Sequence, residues 1–337
     1  MVESLVRDVV AFVAQTVGTY LPGTMFSFID GVEAALALIL VGIISGLVGS
    51  LVVGNRMAFF SDALAHCAFA GVGLGIFLGL VTGASSDSET IRWSLTPIMV
   101  VFGTCMGLSI AYVLDKTSQA NDTVIGVFFA GAIGLGAIFL KAGRARAYIP
   151  PEDFLFGDLV TLGPHDILEL LLLACGTAFV LIFLYNSLVF ASFNPSLARS
   201  RGVPVRTLKY IFIVILALVV NVCLKVVGVL LINAMLIVPA AAAANVARNV
   251  RQLMMLSIVL AVTVGLAGQW LAWEIGQRTA AAGQRLDLGE TGTIVLLAVG
   301  CYFLSIFLGR SEGRRRQWRQ DPTIPSERPD EKVATNR

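Results

Sequence analysis

The most regular feature of the sequence is a succession of long apolar stretches separated by short polar segments. Each stretch approaches the roughly 20 residues with which an α-helix crosses the hydrocarbon core of a bilayer. Neighbouring stretches nearly touch at 54–58 and at 225, so we predict a bundle of about eight or nine transmembrane helices. The stretches lie at 32–54, 58–82, 95–114, 123–142, 167–190, 208–224, 226–245, 253–274 and 291–309.

The composition supports an all-α membrane protein. Of the 337 residues, 57% are hydrophobic and only 14% are charged, whereas about 25% of the residues of a soluble globular protein are charged. The net charge of +2 is too small to indicate a partner such as nucleic acid. A helix satisfies its own backbone hydrogen bonds, as the bilayer interior requires, so helices are the expected spanning elements.

The apolar pattern divides the chain into three regions. Residues 1–31 mix apolar side chains with Glu3, Arg7 and Asp8, which predicts an amphipathic or weakly hydrophobic amino-terminal segment at the interface. Residues 32–309 form the predicted transmembrane domain. Residues 310–337 are polar and contain proline, so we expect a disordered cytoplasmic tail.

The basic residues predict the orientation of the bundle. Arginines and lysines cluster at 199–209, at 248–251 and at 310–319, and two crossings separate each cluster from the next. The three clusters therefore fall on one side, which the positive-inside rule assigns to the cytoplasm. With nine crossings, the amino terminus faces outside. Three further basic residues disagree with this rule because they then fall outside, namely Lys141, Arg144 and Arg146.

Asp62 and His66 form the most informative pair of polar residues. They are four positions apart in an apolar stretch, so a helix places them on one face. A carboxylate and an imidazole suit a transition metal such as zinc, manganese or iron. Two ligands are an incomplete set, so a second copy or a neighbouring helix would have to supply the rest. The alternative is that the two side chains bond each other and only fix helix packing.

Three other polar residues interrupt the apolar stretches. Asn233 is a candidate pathway residue, although asparagines in membrane helices usually bond to another helix. Lys225 is a poor metal ligand because a cation repels cations, and we interpret it as snorkelling at a helix end where the chain turns. His165 follows Pro164 at a predicted helix start, where a capping or interfacial role is expected.

The loop at 192–207 predicts a short basic helix on the cytoplasmic face. Asn194 can cap a helix that Pro195 begins, and Gly202 with Pro204 can end it. Such a helix could dock into a groove of a soluble partner. The alternative is a plain basic loop that only sets the topology.

The sequence excludes several activities. It contains no GxxxxGK[ST] motif, so the chain does not cradle ATP phosphates in the usual way. Its two histidines and the lack of a nucleophile–base pair argue against an intramembrane enzyme. The five cysteines include no CxxC pair, so no metal ribbon is expected. A stand-alone secondary transporter or channel for a cation remains an alternative to a permease driven by a separate ATPase.

Several stretches, in order along residues 32–309, resemble the permease subunits of bacterial ABC importers for zinc, manganese or iron. The stretch with Asp62 and His66, RMAFFSDALAHCAFAGVGLG, is similar to a family segment that carries an aspartate and a histidine four apart. FLFGDLVTLGPHDIL is similar to the family's Leu-Phe-Gly segment, and FNPSLARSRGVPV is similar to its coupling helix. VGVLLINAMLIVPAAAAANVAR is similar to the family's late helix pair, and LDLGETGTIVLL is similar to its last helix. Ser61, Cys67 and Asn194 depart from the residues common in the family, namely glycine, alanine and aspartate.

This resemblance implies a fold, partners and roles for residues. It implies a type II ABC importer-like permease that forms a homodimer in the inner membrane of a bacterium, with Asp62 and His66 contacting the transported metal near the two-fold axis. It also implies cytoplasmic ABC ATPase subunits that bind the ATP and an extracytoplasmic protein that delivers the metal. No permanently bound cofactor is expected. The implied ATPase-coupling segment contains Asn194, Pro195, Leu197, Ala198, Arg199 and Gly202.

Overall fold

The protein is a bundle of long helices in the computed structural model, which describes residues 10–17, 19, 24–81, 89–143, 157, 162–281 and 289–320. Helices are the only regular secondary structure in these ranges, and eight of them are long and apolar enough to cross a membrane. A 3-10 turn, Met25–Ser27, precedes the first of these eight. The helices are α1 Ile29–Gly54, α2 Ala58–Val81, α3 Glu89–Lys116, α4 Asn121–Gly143, α5 Pro164–Phe193, α6 Pro195–Ser200, α7 Val205–Val246, α8 Val250–Ala281 and α9 Glu290–Gln320.

One end of the bundle is marked by a cavity that several helix ends share. Asn55 in the turn before α2, Asn121 at the start of α4, Pro195 in α6 and Val205 at the start of α7 all line it. We call this the basic end and the other the opposite end. The basic residues in or next to these segments are Arg56, Arg199, Arg201, Arg206 and Lys209.

Helix α7 is folded back on itself at Gly228. A straight helix of its 42 residues would be about 63 Å long, twice the ~30 Å of a bilayer core. Gly228 has non-helical dihedral angles, φ 79° and ψ 165°, and breaks the helix. The positive φ suits glycine, which lacks a Cβ. We call residues 205–227 α7a and residues 229–246 α7b.

Contacts to neighbouring helices show that α7a and α7b run in opposite directions. Near the end of α7a, Lys225 bonds to Asp166 in the first turn of α5, at the opposite end of the bundle. Just after α7b, the Val250 carbonyl accepts a hydrogen bond from Tyr185, near the basic end of α5. The described helices therefore make nine crossings, and the sequence-predicted junction at 225 lies three residues before the break.

The predicted sidedness of the basic clusters agrees with this topology. Gly309 of α9 packs against Asn245 at the end of α7b, and Asn245 donates to the hydroxyl of Ser305 at 2.9 Å. The ends of α7b and of the crossing part of α9, with the start of α8, therefore lie at the basic end. Lys141, in the last turn of α4, lies at the opposite end, as the sequence predicted.

The core lies around α1 and α7, which are the most buried of the spanning helices. Glycines let their backbones approach closely: Gly49 of α1 packs against the carbonyl of Leu236, and Gly46 packs against Ile258 of α8. Helices α4, α5, α8 and α9 expose large apolar side chains around this core. Such faces suit contact with lipid or with another membrane-spanning chain.

The structure describes part of the amino-terminal segment and part of the predicted tail. Residues 10–17 are helical, and Val10 and Ala14 are buried against Val32 and Ile167 of the bundle. Helix α9 continues to Gln320, so residues 310–320 are helical where we expected disorder. Arginine and glutamine are good helix formers, and a formed helix extends at little cost. Residues 321–337 lie outside the described residues.

Candidate functional site

Asp62 and His66 lie in the first turns of α2, near the basic end. Helix α2 begins at Ala58 after a turn in which Arg56 has a positive φ of 56°. The hydroxyl of Ser61 donates to the Ala58 carbonyl at 2.8 Å, inside the first turn. The helical spacing then brings Asp62 and His66 to one face, as predicted from the sequence.

The hydrogen bond of His66 fixes which ring nitrogen is free. Its Nδ1 lies 3.0 Å from the backbone carbonyl of Asp62, and 3.7 Å from the Oδ1 of the same residue. Because a carbonyl oxygen only accepts hydrogen bonds, Nδ1 carries the proton in this contact, and a neutral ring has its lone pair on Nε2. The two side chains also lie within ion-pair distance of each other, so the alternative that they bond each other and fix helix packing stays open. The ring is held by backbone, with a nitrogen left for a ligand.

Asn233 orients the carboxylate of Asp62 from another helix. Its Nδ2 donates to Asp62 Oδ1 at 2.6 Å, across a sequence separation of 171 residues. The fold-back at Gly228 positions α7b for this contact. The amide is neutral, so it orients the carboxylate without cancelling its charge. The Oδ1 of Asn233 is buried and has no hydrogen-bond partner among the described residues.

The pair is half-exposed in the single chain rather than sealed in the core. The side chains of Asp62 and His66 are 37% and 26% exposed, and their immediate neighbours Ala63 and Ala65 are buried. Phe129 of α4 packs against the His66 ring at a tilt of 54°, with 4.6 Å between ring centroids. Ionisable groups at such depth are expected to face a hydrated path or a partner rather than lipid. One chain offers one nitrogen and one free carboxylate oxygen at this place.

A second ionisable cluster lies at the opposite end. Ligand-type atoms of His165, Asp166 and Glu169 lie within 4.8 Å of one another. Lys225 Nζ lies between the two carboxylates, 3.0 Å from Asp166 Oδ1 and 3.1 Å from Glu169 Oε2. A lysine cation already pairs with both carboxylates and would repel a metal ion, so this group suits an ion-pair cluster better than a metal site. The sequence placed Lys225 correctly at a turn but missed its partners.

His165 is not the residue that caps α5. The backbone N–H of Gly163 donates to Asp166 Oδ2 at 3.1 Å, so Asp166 provides the side-chain half of the cap. His165 Nδ1 instead lies 3.5 Å from Glu169 Oε1, one turn along the helix.

The predicted coupling segment is a short exposed helix at the basic end. Asn194 is at the N-cap position of α6, but its side chain makes no capping bond, which corrects the sequence expectation. Its backbone carbonyl accepts the Ala198 N–H at 2.9 Å instead. Gly202 ends the helix with a φ of +78°, and the Val203 N–H donates to the Ala198 carbonyl at 3.0 Å. This pattern is a Schellman ending, for which glycine is favoured. The exposed residues of the segment include Asn194, Pro195, Leu197, Arg199 and Arg201.

These features define a membrane permease: many crossings, ionisable side chains on a spanning helix, and a protruding helix at one end. The chain belongs to the ABC 3 transport family, whose sequence profile matches residues 25–309. It is the membrane-spanning permease subunit and not an enzyme, because the family's ATPase is a separate subunit.

Relatives and a solved structure support the same assignment. The chain is 28% identical over 298 residues to the manganese import system permease protein ScaB of Streptococcus parasanguinis, covering 86% of this chain and 96% of ScaB. It is 28% identical over 237 residues to the high-affinity zinc uptake system membrane protein ZnuB of Haemophilus influenzae, covering 70% and 85%. PsaBC from Streptococcus pneumoniae superposes with a TM-score of 0.67 at 25% identity, covering 82% of this chain and 91% of that one.

Proposed function

We propose that this permease imports a divalent transition metal ion, and that the ion passes Asp62 and His66 on its way to the cytoplasm. The observation that carries this proposal is the arrangement of the pair. Both side chains are half-exposed on one helix face, and hydrogen bonds to backbone and Asn233 orient them without neutralising the carboxylate. Imidazole and carboxylate suit manganese, iron and zinc. The names of the relatives, manganese for ScaB and zinc for ZnuB, support the same class of cargo.

The site is incomplete in one chain, and a homodimer would double its ligands. Helix α4 lies beside the site and has an outer face with open space around Gly126, Gly131 and Gly134. Glycines on an open face let a second helix approach closely in a membrane. A second copy packed there would bring another Asp62 and His66 across a two-fold axis. Four ligands, with Asn233 as an orienting residue, would then surround the ion.

Two further partners follow from the ends of the bundle. The exposed α6, with Leu197 and Arg199, suits docking into a groove of a cytoplasmic ATPase that binds the ATP. A binding protein outside the cytoplasm would deliver the ion at the opposite end. The chain would lie in the cytoplasmic membrane of a bacterium, with the basic end inward as the positive-inside rule predicts.

The chemistry of transport is ligand exchange. The ion would replace part of its water shell with imidazole nitrogen and carboxylate oxygen, and these ligands must hold it weakly enough to release it. Movements of the ATPase subunits would tilt the helices and expose the site to each side in turn. No covalent step on the chain is needed.

Reconstitution with the partner proteins tests the proposal. Proteoliposomes with the permease, its ATPase and its binding protein should accumulate Mn²⁺ or Zn²⁺ only with ATP. Asp62→Ala and His66→Ala should each abolish uptake in complexes that still assemble. The matched control is Glu274→Gln, which removes an exposed carboxylate from the last turns of α8, at the opposite end of the bundle. Normal uptake in both site variants would overturn the pathway assignment.

The same experiment addresses the stand-alone alternative. A secondary transporter or channel would move the ion along a gradient without ATP and without a partner ATPase. Family membership argues against it, and uptake by the permease alone in nucleotide-free liposomes would revive it.

A further inference from the structure

Asp115, in the last turn of α3, is the centre of a polar cluster at the basic end. Its side chain is only 16% exposed. Lys209 Nζ donates to its Oδ1 at 2.7 Å, and the hydroxyl of Tyr210 donates to its Oδ2 at 3.2 Å. Arg206 Nε lies 3.5 Å from the same Oδ2. Both carboxylate oxygens are thus held, and all three partners come from the first turns of α7.

These partners directly follow the proposed ATPase-coupling segment. Helix α6 ends at Ser200, Gly202 turns the chain, and α7 begins at Val205, one residue before Arg206. A cavity of about 310 Å³ lies in this region. Its lining residues include Pro195 of α6, Met57 and Leu114. The first residue of α6 therefore lines a hollow. The start of α7 is attached to the bundle through Asp115.

A continuous set of contacts leads from Asp115 to the metal pathway. Helices α3 and α7a pack closely along their length: Gly103 abuts the Asn221 side chain, and Gly107 abuts Ile213. Gly107 also abuts Leu64 of α2, and Leu64 lies between Asp62 and His66 in the chain. A displacement of α3 would therefore push directly on the turn of α2 that carries the pair.

We propose that Asp115 is a positioning residue that transmits movement of α6 to α3, and through Leu64 to Asp62 and His66. This inference rests on the proposed function. The start of α7 moves with α6 because a short turn links them, and Asp115 makes α3 move with the start of α7. Coupling between distant sites requires such a contiguous element that both sites bias. Without the Asp115 contacts, the start of α7 could move with α6 while the end of α3 stayed in place, because the close glycine contacts between α3 and α7a lie deeper in the bundle.

The test measures coupling rather than activity alone. The full complex is reconstituted in liposomes, and Mn²⁺ uptake and ATP hydrolysis are measured together. Asp115→Asn keeps the size of the side chain but loses its charge. It should keep ATP hydrolysis at or above the wild-type rate and lower the Mn²⁺ imported per ATP by about fivefold or more, within the usual range of coupling between sites.

Further variants keep the inference testable if Asp115→Asn fails to assemble. Lys209→Met and Tyr210→Phe remove one partner each and should also lower Mn²⁺ imported per ATP. Combining Lys209→Met with Asp115→Asn should add little, because both changes break one interaction. Glu274→Gln breaks an exposed ion pair with Arg278, 2.8 Å long, and should leave the ratio unchanged.

Two outcomes would overturn the inference. One is a wild-type import-to-hydrolysis ratio in the assembled variants. The other is a parallel fall of uptake and hydrolysis, which would indicate a purely structural role. Failure of the proposed function is distinguishable, because the wild-type complex itself would then show no ATP-driven uptake.

Discussion

The carboxylate cluster at the start of α5 and the carboxylate of Asp62 in α2 differ in the partner that orients them. At the opposite end, Asp166 and Glu169 share the ammonium group of Lys225, so a permanent cation offsets one of their two negative charges. In α2, Asp62 is oriented by the amide of Asn233, which is neutral. The first group is an ion pair that joins α5 to α7. The second has a neutral partner, and under the proposed function its carboxylate contacts the transported ion. On that proposal, the charge of the orienting partner separates a structural carboxylate from one that binds cargo.

Exchanging that partner gives the largest expected effect. Asn233→Lys would place an ammonium group beside Asp62 and convert this site into a copy of the Lys225 cluster. At an effective dielectric constant of about 20, such a pair is worth about 4 kcal/mol, which corresponds to a loss of ion binding of roughly a thousandfold. Mn²⁺ uptake by the reconstituted complex should fall accordingly. Uptake near the wild-type level would show that Asp62 does not bind the ion.

Removing the amide should have a smaller effect. Asn233→Ala leaves the charge of Asp62 but removes a hydrogen bond to a charged group, which is worth roughly 1.5 to 3 kcal/mol. We expect uptake at limiting Mn²⁺ to fall by about tenfold or more, with partial recovery at high Mn²⁺ concentration. Asn245→Ala, which breaks the bond to Ser305 farther along α7b, is the matched control. An equal loss in both variants would argue for a general packing defect.

Removing the ammonium group of Lys225 from the cluster with Asp166 and Glu169 should have the smallest effect. Lys225→Met leaves Asp166 and Glu169 unbalanced at a partly exposed position, so the cost is below the roughly 3 to 5 kcal/mol of a fully buried broken pair. We expect the thermal midpoint of the permease in detergent to fall by a few degrees, about 2 to 4 °C per kcal/mol. Adding Asp166→Asn and Glu169→Gln should restore most of it, because removing both sides of a pair is close to neutral. If the thermal midpoint does not recover in the triple variant, the aliphatic part of the Lys225 side chain, and not its charge, stabilises the end of α7a.

Local periodicity carried most of what the sequence could predict. The helical spacing of Asp62 and His66 and the apolar lengths are properties of neighbouring residues, and the structure confirms the shared helix face and the helical bundle. The contact between Asp62 and Asn233 could not be predicted because it spans 171 residues. An asparagine in an apolar stretch predicts a hydrogen-bond partner on another helix but does not identify that partner.

The polar cluster at Asp115 left a signal that the sequence analysis did not use. A carboxylate in the last turn of a helix faces the negative end of the helix dipole, which is unfavourable unless a cation is close. Asp115 stands in that position, next to Lys116 and far along the chain from Arg206 and Lys209. In the sequence, Arg206 and Lys209 predict only the orientation of the bundle, as members of a basic cluster. Their individual partners depend on the antiparallel packing of α3 and α7a, which periodicity does not encode.

The reversal at Gly228 decides on which face of the bilayer each terminus emerges. With one extra passage inside what looks like a single 42-residue helix, the number of passages is odd, so the start of α1 and the end of α9 emerge on different faces. A topology map drawn from helix lengths alone would count an even number and place both on the same face. Because α7 crosses twice, its first and last residues lie on the same side of the membrane. Reporter tags of membrane sidedness fused just before α7 and just after it should therefore give the same signal.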